Sequence, residues 1–192
     1  GCFEDSGLLE ITVPENVTTV GKQALRGCKR LKKVSFSEES ILERIGEDCF
    51  ADAGLEEFRA PGSLRTVEDG AFCGCERLRL VVLNDGLETL GEDLYYASGV
   101  FADSGLESVR LPSALRRLEL RAFKGCRSLR GVRLPQGLEY IGDECFSGSG
   151  LREVTLPGML EEVGRGAFEG GSGLQEIRLE EGCRADISRA GI

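Results

Sequence analysis

The chain has 192 residues, of which 41% are hydrophobic and 30% charged, and its formal net charge is -9 at pH 7. That length suits one domain with an apolar core under a soluble surface. The acidic balance excludes the basic footprint of non-specific nucleic-acid binding, and no apolar run reaches the roughly 18 residues of a membrane helix. Histidine is absent, which removes the commonest general base and a frequent zinc ligand. No basic segment followed by an apolar stretch marks a signal peptide.

The first predicted element starts at Leu8, followed by Ile11 at +3, Val13 at +5 and then Pro14. Such alternation marks a short strand with one buried face, and proline ends it. The same anchor returns at Leu31, Leu55, Leu78, Leu106, Leu129, Leu151 and Leu174. About eight similar strands joined by such uniform connections cannot be hairpins; they are parallel rungs of a coil. A second apolar block follows each strand, as in Ile45-Gly46 with Cys49-Phe50, Ile141-Gly142 with Cys145-Phe146, and Val163-Gly164 with Ala167-Phe168. It is too short for a full helix, so a turn of 3₁₀ or α-helix, or a short extended piece, is expected there. Each Phe, with Leu25 in the second rung, is expected to stack on the next inside the coil.

The spacing has a second period. The gap from each Phe (or Leu25) to the next anchor alternates between 5 and 6 residues. Short links read Asp5-Ser6-Gly7, Asp52-Ala53-Gly54, Asp103-Ser104-Gly105 and Gly148-Ser149-Gly150; long ones carry Gly27-Cys28, Gly74-Cys75, Gly125-Cys126 and Gly170-Gly171. The unit is therefore a pair of rungs. The glycine before the anchor in each short link predicts a positive φ at Gly7, Gly54, Gly105 and Gly150. Residues 1–179 form the predicted solenoid, and residues 180–192, where the repeat breaks, form a degenerate C-terminal cap or tail over the last rung's edge. Because the sequence opens inside a repeat at Gly1-Cys2-Phe3, it is expected to be a piece of a longer protein.

Leu129 to Phe146 (LRGVRLPQGLEYIGDECF) and Leu151 to Phe168 carry the repeat in its fullest form. They resemble the BspA-like, or Treponema pallidum-type, leucine-rich repeats. The resemblance covers nearly the whole chain and implies a right-handed α/β solenoid with a parallel sheet on its concave side. It also implies a scaffold for binding other proteins, and more remotely a surface adhesin that binds host matrix proteins. It fixes neither ligand nor partner.

Eight cysteines would suggest disulfides in a small secreted protein, but here they fall into two columns. Cys2, Cys49 and Cys145 precede Phe; Cys28, Cys75 and Cys126 follow the long-link glycine. Members of a column lie at least two rungs apart, roughly 10 Å at strand spacing, beyond the ~7 Å Cα limit for a bridge. Reduced structural thiols are expected. Cys73-Gly74-Cys75 has no second pair to complete a metal site, so neither metal nor cofactor is expected.

A solenoid binds with the outward residues of its strands, at +2 and +4 from the anchor. The +4 column reads Thr12, Ser35, Arg59, Val82, Arg110, Arg133, Thr155 and Arg178, without an acid. In the fourth rung both outward positions, Leu80 and Val82, are apolar, flanked by Arg59 and Arg110 in adjacent rungs. The same rung holds an insertion of six residues within Glu92 to Val100, with Tyr95 and Tyr96; Tyr and Arg are enriched at interface hot spots. Candidate binding residues are therefore Arg59, Leu80, Val82, Arg110, Arg133, Tyr95 and Tyr96, on two separate surfaces. The carboxylates scatter over turns rather than pairing in a pocket, so no enzyme is expected. The alternative to a binding module is a structural subunit within a large assembly.

Overall fold

The structure is a computed structural model and describes residues 1–91, 97–171 and 173–192. Among the described residues, fourteen short strands wind as a coil in which every pairing is parallel and joins a strand to its counterpart on a neighbouring turn. The anchor strands are β1 (Glu10–Val13), β3 (Lys33–Phe36), β5 (Glu57–Arg59), β7 (Leu80–Val82), β9 (Ser108–Arg110), β12 (Glu153–Leu156) and β14 (Glu176–Leu179). Between them lie two-residue strands: β2 (Thr19–Val20), β4 (Arg44–Ile45), β6 (Thr66–Val67), β8 (Thr89–Leu90), β10 (Arg117–Leu118), β11 (Tyr140–Ile141) and β13 (Glu162–Val163). Each repeat proline ends one strand and opens the turn to the other. The Pro14, Pro61, Pro112, Pro135 and Pro157 carbonyls accept from N–H groups three residues on, at 3.1–3.3 Å.

The apolar alternation sets what is buried. In β5, Phe58 is 1% exposed between exposed Glu57 and Arg59. Phe50, Phe72, Phe101, Phe123, Phe146 and Phe168 run as one stack through the interior, with ring centroids 5.3–5.6 Å apart and planes within 15–17° or less. Offset or parallel stacking of this kind adds about 0.5–1.5 kcal/mol per pair beyond burial. One continuous core follows, and Leu25 sits in it at the Phe position.

Three expectations change. Among the described residues there is no helix; the block around each Phe is a run of tight turns. Two left-handed residues per rung make those turns, at two before and two after the Phe, as at Asp48 and Asp52 (φ 52° and 58°) or Arg121 and Gly125 (φ 56° and 70°). Alternate N–H groups then point into the next rung: Arg121, Phe123 and Gly125 donate to Asp143, Cys145 and Ser147 at 2.8–3.0 Å. A helix would turn those donors back onto its own carbonyls.

The short-link glycines, secondly, do not have positive φ; the residues two earlier do, at Asp5, Asp52, Asp103 and Gly148. Glycine serves close approach instead. A Cβ at Gly54, Gly105 or Gly150 would lie 2.0–2.2 Å from a carbonyl oxygen of the preceding rung.

Thirdly, neither ladder is continuous. The anchor strands divide into β1-β3, β5-β7-β9 and β12-β14, and the rung anchored at Leu129 forms no anchor strand. The short strands divide into β2-β4-β6-β8 and β10-β11-β13, the break falling where the insertion enters. The final residues run along the last rung: Asp186 bridges Glu162, and the Phe168 N–H donates to the carbonyl of the buried Ala190 at 2.8 Å.

Candidate interaction face

The outward column of the middle sheet is set by strand register. Arg59 pairs with Val82, and Val82 with Arg110; one pleat away, Glu57 pairs with Leu80 and Leu80 with Ser108. Leu80 and Val82 are half-buried while Val81 between them is fully buried, so the alternation turns these two apolar side chains toward solvent. Arg59 reaches Glu57 at 3.6 Å and Arg110 reaches Asp85 at 3.4 Å, all four side chains more than half exposed. Ion pairs this exposed are worth about 0–1 kcal/mol and leave the guanidiniums free to exchange partners. The Ser113 N–H, 3.0 Å from Asp85, holds that carboxyl below the usual carboxylate range, with Arg110 adding to the effect.

The structure brings Arg59, Leu80, Val82 and Arg110 together, and sets Arg133 one rung further on beside a hollow that Arg110 also lines. Tyr95 and Tyr96 lie outside the described residues. The insertion that carries them leaves from Gly91, after β8, and rejoins at Ser98 and Gly99, whose N–H groups donate to Asp69 at 2.7 and 2.9 Å. It thus departs from the short-strand ladder rather than from the strands that carry Leu80 and Val82.

Sequence reasoning missed a second feature. Tyr140, opposite Arg117 in register, lies under its guanidinium, which sits 3.9 Å above the ring. A Tyr one repeat after an Arg in the short-strand column was the available signal.

The cysteines take scaffold positions. Cys28, Cys75 and Cys126 donate to the Phe3, Phe50 and Phe101 carbonyls of the preceding rung at 3.0–3.1 Å. All eight thiols are free. Burial pushes Cys126 up to about 12, and raises Cys49, Cys75 and Cys145 as well; none is poised as a nucleophile. Other arginines also serve the scaffold, Arg65, Arg79 and Arg116 each donating to a glycine carbonyl of the next rung at 2.8–2.9 Å.

A coil of parallel short strands around a phenylalanine stack, with its leucines recurring once per turn, defines a leucine-rich-repeat solenoid. Residues 1–100 and 96–189 match the BspA type leucine rich repeat region, in six copies, and the chain belongs to that family. A leucine-rich repeat protein from Bacteroides ovatus is 30% identical with a TM-score of 0.79, over 92% of this chain and 46% of that one. A leucine rich cell surface protein from Faecalibacterium prausnitzii is 21% identical (TM-score 0.62, 90% of this chain, 60% of that one). The T. pallidum leucine rich repeat protein is 22% identical (TM-score 0.55, 90% and 71%). This chain therefore spans about half of the Bacteroides ovatus chain. A search of curated proteins gave no match.

Proposed function

We propose that the chain is a non-catalytic scaffold that binds a protein partner across the outward face of β5, β7 and β9. The carrying observation is the register: half-exposed Leu80 and Val82 sit between Arg59 and Arg110. An apolar centre rimmed by exchangeable charges is the usual anatomy of an interface, and arginine is enriched among its hot spots. Arg133 extends the face by one rung, and the insertion with Tyr95 and Tyr96 offers a second contact. Membership of the repeat family supports a protein-interaction role, since such repeats share a scaffold and bind through what their faces display. The lack of histidine and the dispersal of carboxylates into exposed ion pairs support a role without catalysis.

The test is capture from an extract of the native source. Proteins retained by the immobilised wild type should be lost from the double variant Arg59→Glu/Arg110→Glu and from Val82→Glu, roughly tenfold or more in affinity. Thr66→Glu, on the short-strand face, should retain them. Circular dichroism should match for all four. Equal retention by every variant sinks the assignment.

A further inference from the structure

The rung between β9 and β12 departs most from the ladder. No backbone N–H or C=O of Gly131, Val132, Arg133 or Leu134 is hydrogen-bonded among the described residues. The stretch is held before Gly131 by the Leu129 N–H on Cys126 and the Arg152 N–H on the Arg130 carbonyl, and after Leu134 by the Leu138 N–H on the Pro135 carbonyl, all at 3.1 Å. Gly131 occupies an outward position, and a Cβ there would meet nothing within 4 Å; glycine weakens a strand at such a place.

A hollow of about 580 Å³ opens against this unpaired rung. Val109, Leu111, Leu134 and Pro135 give it an apolar lining, together with Arg133, Arg110 and the Asp85 that Arg110 pairs at 3.4 Å. Val109 and Leu111 are 9% and 8% exposed, whereas their counterparts Val81 and Leu83 one rung earlier are 0% and 1%. The core is opened here.

Charge completes the picture. Residues 108–138 contain eight arginines and lysines against one acid, Glu119, in a chain of net charge -9. Arg116 pairs with Glu139, while Arg121 and Lys124 share Glu144. Arg127, Arg130 and Arg133 are exposed and make no ion pair among the described residues. A basic band in an acidic molecule attracts an acidic partner.

We propose that this hollow takes an extended acidic segment of a partner protein. The segment's backbone pairs with the free groups of Arg133 and Leu134, the two residues of that stretch that line the hollow. Its alternate apolar side chains meet Val109, Leu111 and Leu134, and its carboxylates meet Arg110 and Arg133. This rests on the reading above in that Arg110 belongs to both surfaces, and it gives the partner its chemistry. A nucleic acid supplies neither the apolar side chains nor the strand, and the acidic remainder of the molecule repels it.

The probe is a fluorescein-labelled peptide of alternating glutamate and valine or leucine (acetyl-EVELEV-amide), followed by fluorescence polarisation. It should bind saturably to the wild type, about tenfold more weakly to Arg133→Glu and to Arg127→Glu/Arg130→Glu/Arg133→Glu, and with full affinity to Thr66→Glu. The same peptide N-methylated at alternate residues keeps its charge, loses its strand donors, and should bind at least tenfold more weakly. Unweakened binding by Arg133→Glu or by the methylated peptide overturns the proposal, as does tighter binding of a single-stranded oligonucleotide than of the peptide. If the wild type ignores the peptide while Arg59→Glu/Arg110→Glu still loses its captured partner, this proposal fails and the interaction face stands.

Discussion

The two-rung period has its origin in single residues. At two residues after the Phe, every rung needs a left-handed backbone, and aspartate or glycine supplies it: Asp5, Gly27, Asp52, Gly74, Asp103, Gly125. From Asp5 to Gly125 the two alternate, the Asp carboxylate lying over the next glycine, whereas Gly148 and Gly170 follow in the last two rungs. A Cβ at Gly27, Gly74 or Gly125 would fall 2.0–2.3 Å from Oδ1 of Asp5, Asp52 or Asp103. Asp tolerates the left-handed region better than most residues, but two successive side chains do not fit there. Gly125→Ala should therefore cost about 1–2 kcal/mol, from its φ of 70° and from this crowding. Combined with Asp103→Gly, its cost should shrink, because the crowding is gone and only the backbone strain remains. Urea unfolding of both singles and the double checks this, and strictly additive values would show that the carboxylate is not the obstacle. The alternation itself was legible in the 5- and 6-residue links. Its cause was not, because glycine before the anchor drew attention to the wrong residue of the link.

Among the elements, the strands were the legible part and the pairing was not. The +3 and +5 positions correctly marked the buried residues Val81 and Leu83, or Val154 and Leu156, because side-chain direction in a strand depends on local alternation alone. Whether a strand finds its neighbour depends on the adjacent rung. The Leu129 rung matches the repeat closely, yet its anchor segment forms no ladder. Its visible flaw is Gly131 in a column otherwise filled by Glu, Lys, Leu or Ser. Helical turns around the Phe were likewise a fair expectation from length, and the left-handed Gln23, Arg121 and Glu144 are not residues whose type announces that conformation. Restoring a β-branched residue tests the account. Gly131→Val enters open space and should stabilise the chain by about 0.5–1 kcal/mol. Its thermal midpoint by far-UV circular dichroism should rise, and amide exchange at residues 132–134 should slow. A lower midpoint would mean that the rung's open state is held by something other than the missing side chain.

Over the whole molecule, average charge concealed a polarity. The net value of -9 points away from anionic partners, whereas residues 108–138 point toward them; placement on adjacent rungs brings Arg110 and Arg133 of that stretch to one hollow. Cohesion is also uneven along the axis. In a solenoid each turn is held by its two neighbours, so stability is a sum of interfaces. Between the turn that runs from Phe72 through β8 and the one that runs from Phe101 through β10, the short-strand ladder is broken. That interface rests on the β7-β9 pairing, on the Phe72 and Gly74 N–H bonds to Val100 and Ala102 at 2.8 Å, and on the Phe stack. Phe101 is fully buried and stacks on Phe72 at 5.4 Å and on Phe123 at 5.3 Å. Phe101→Ala should cost about 3–5 kcal/mol, and part of the loss should fall on an interface that lacks its short-strand ladder. The two halves should then uncouple, giving a urea transition by circular dichroism that broadens or splits in two. Phe123→Ala removes as large a side chain, but β11-β13 pairing and three turn hydrogen bonds remain across its interface with the next turn. It should lower the midpoint while keeping one transition. A single sharp transition for Phe101→Ala, as steep as the wild type, would mean that the β7-β9 strands and the turn hydrogen bonds alone bind the halves into one folding unit.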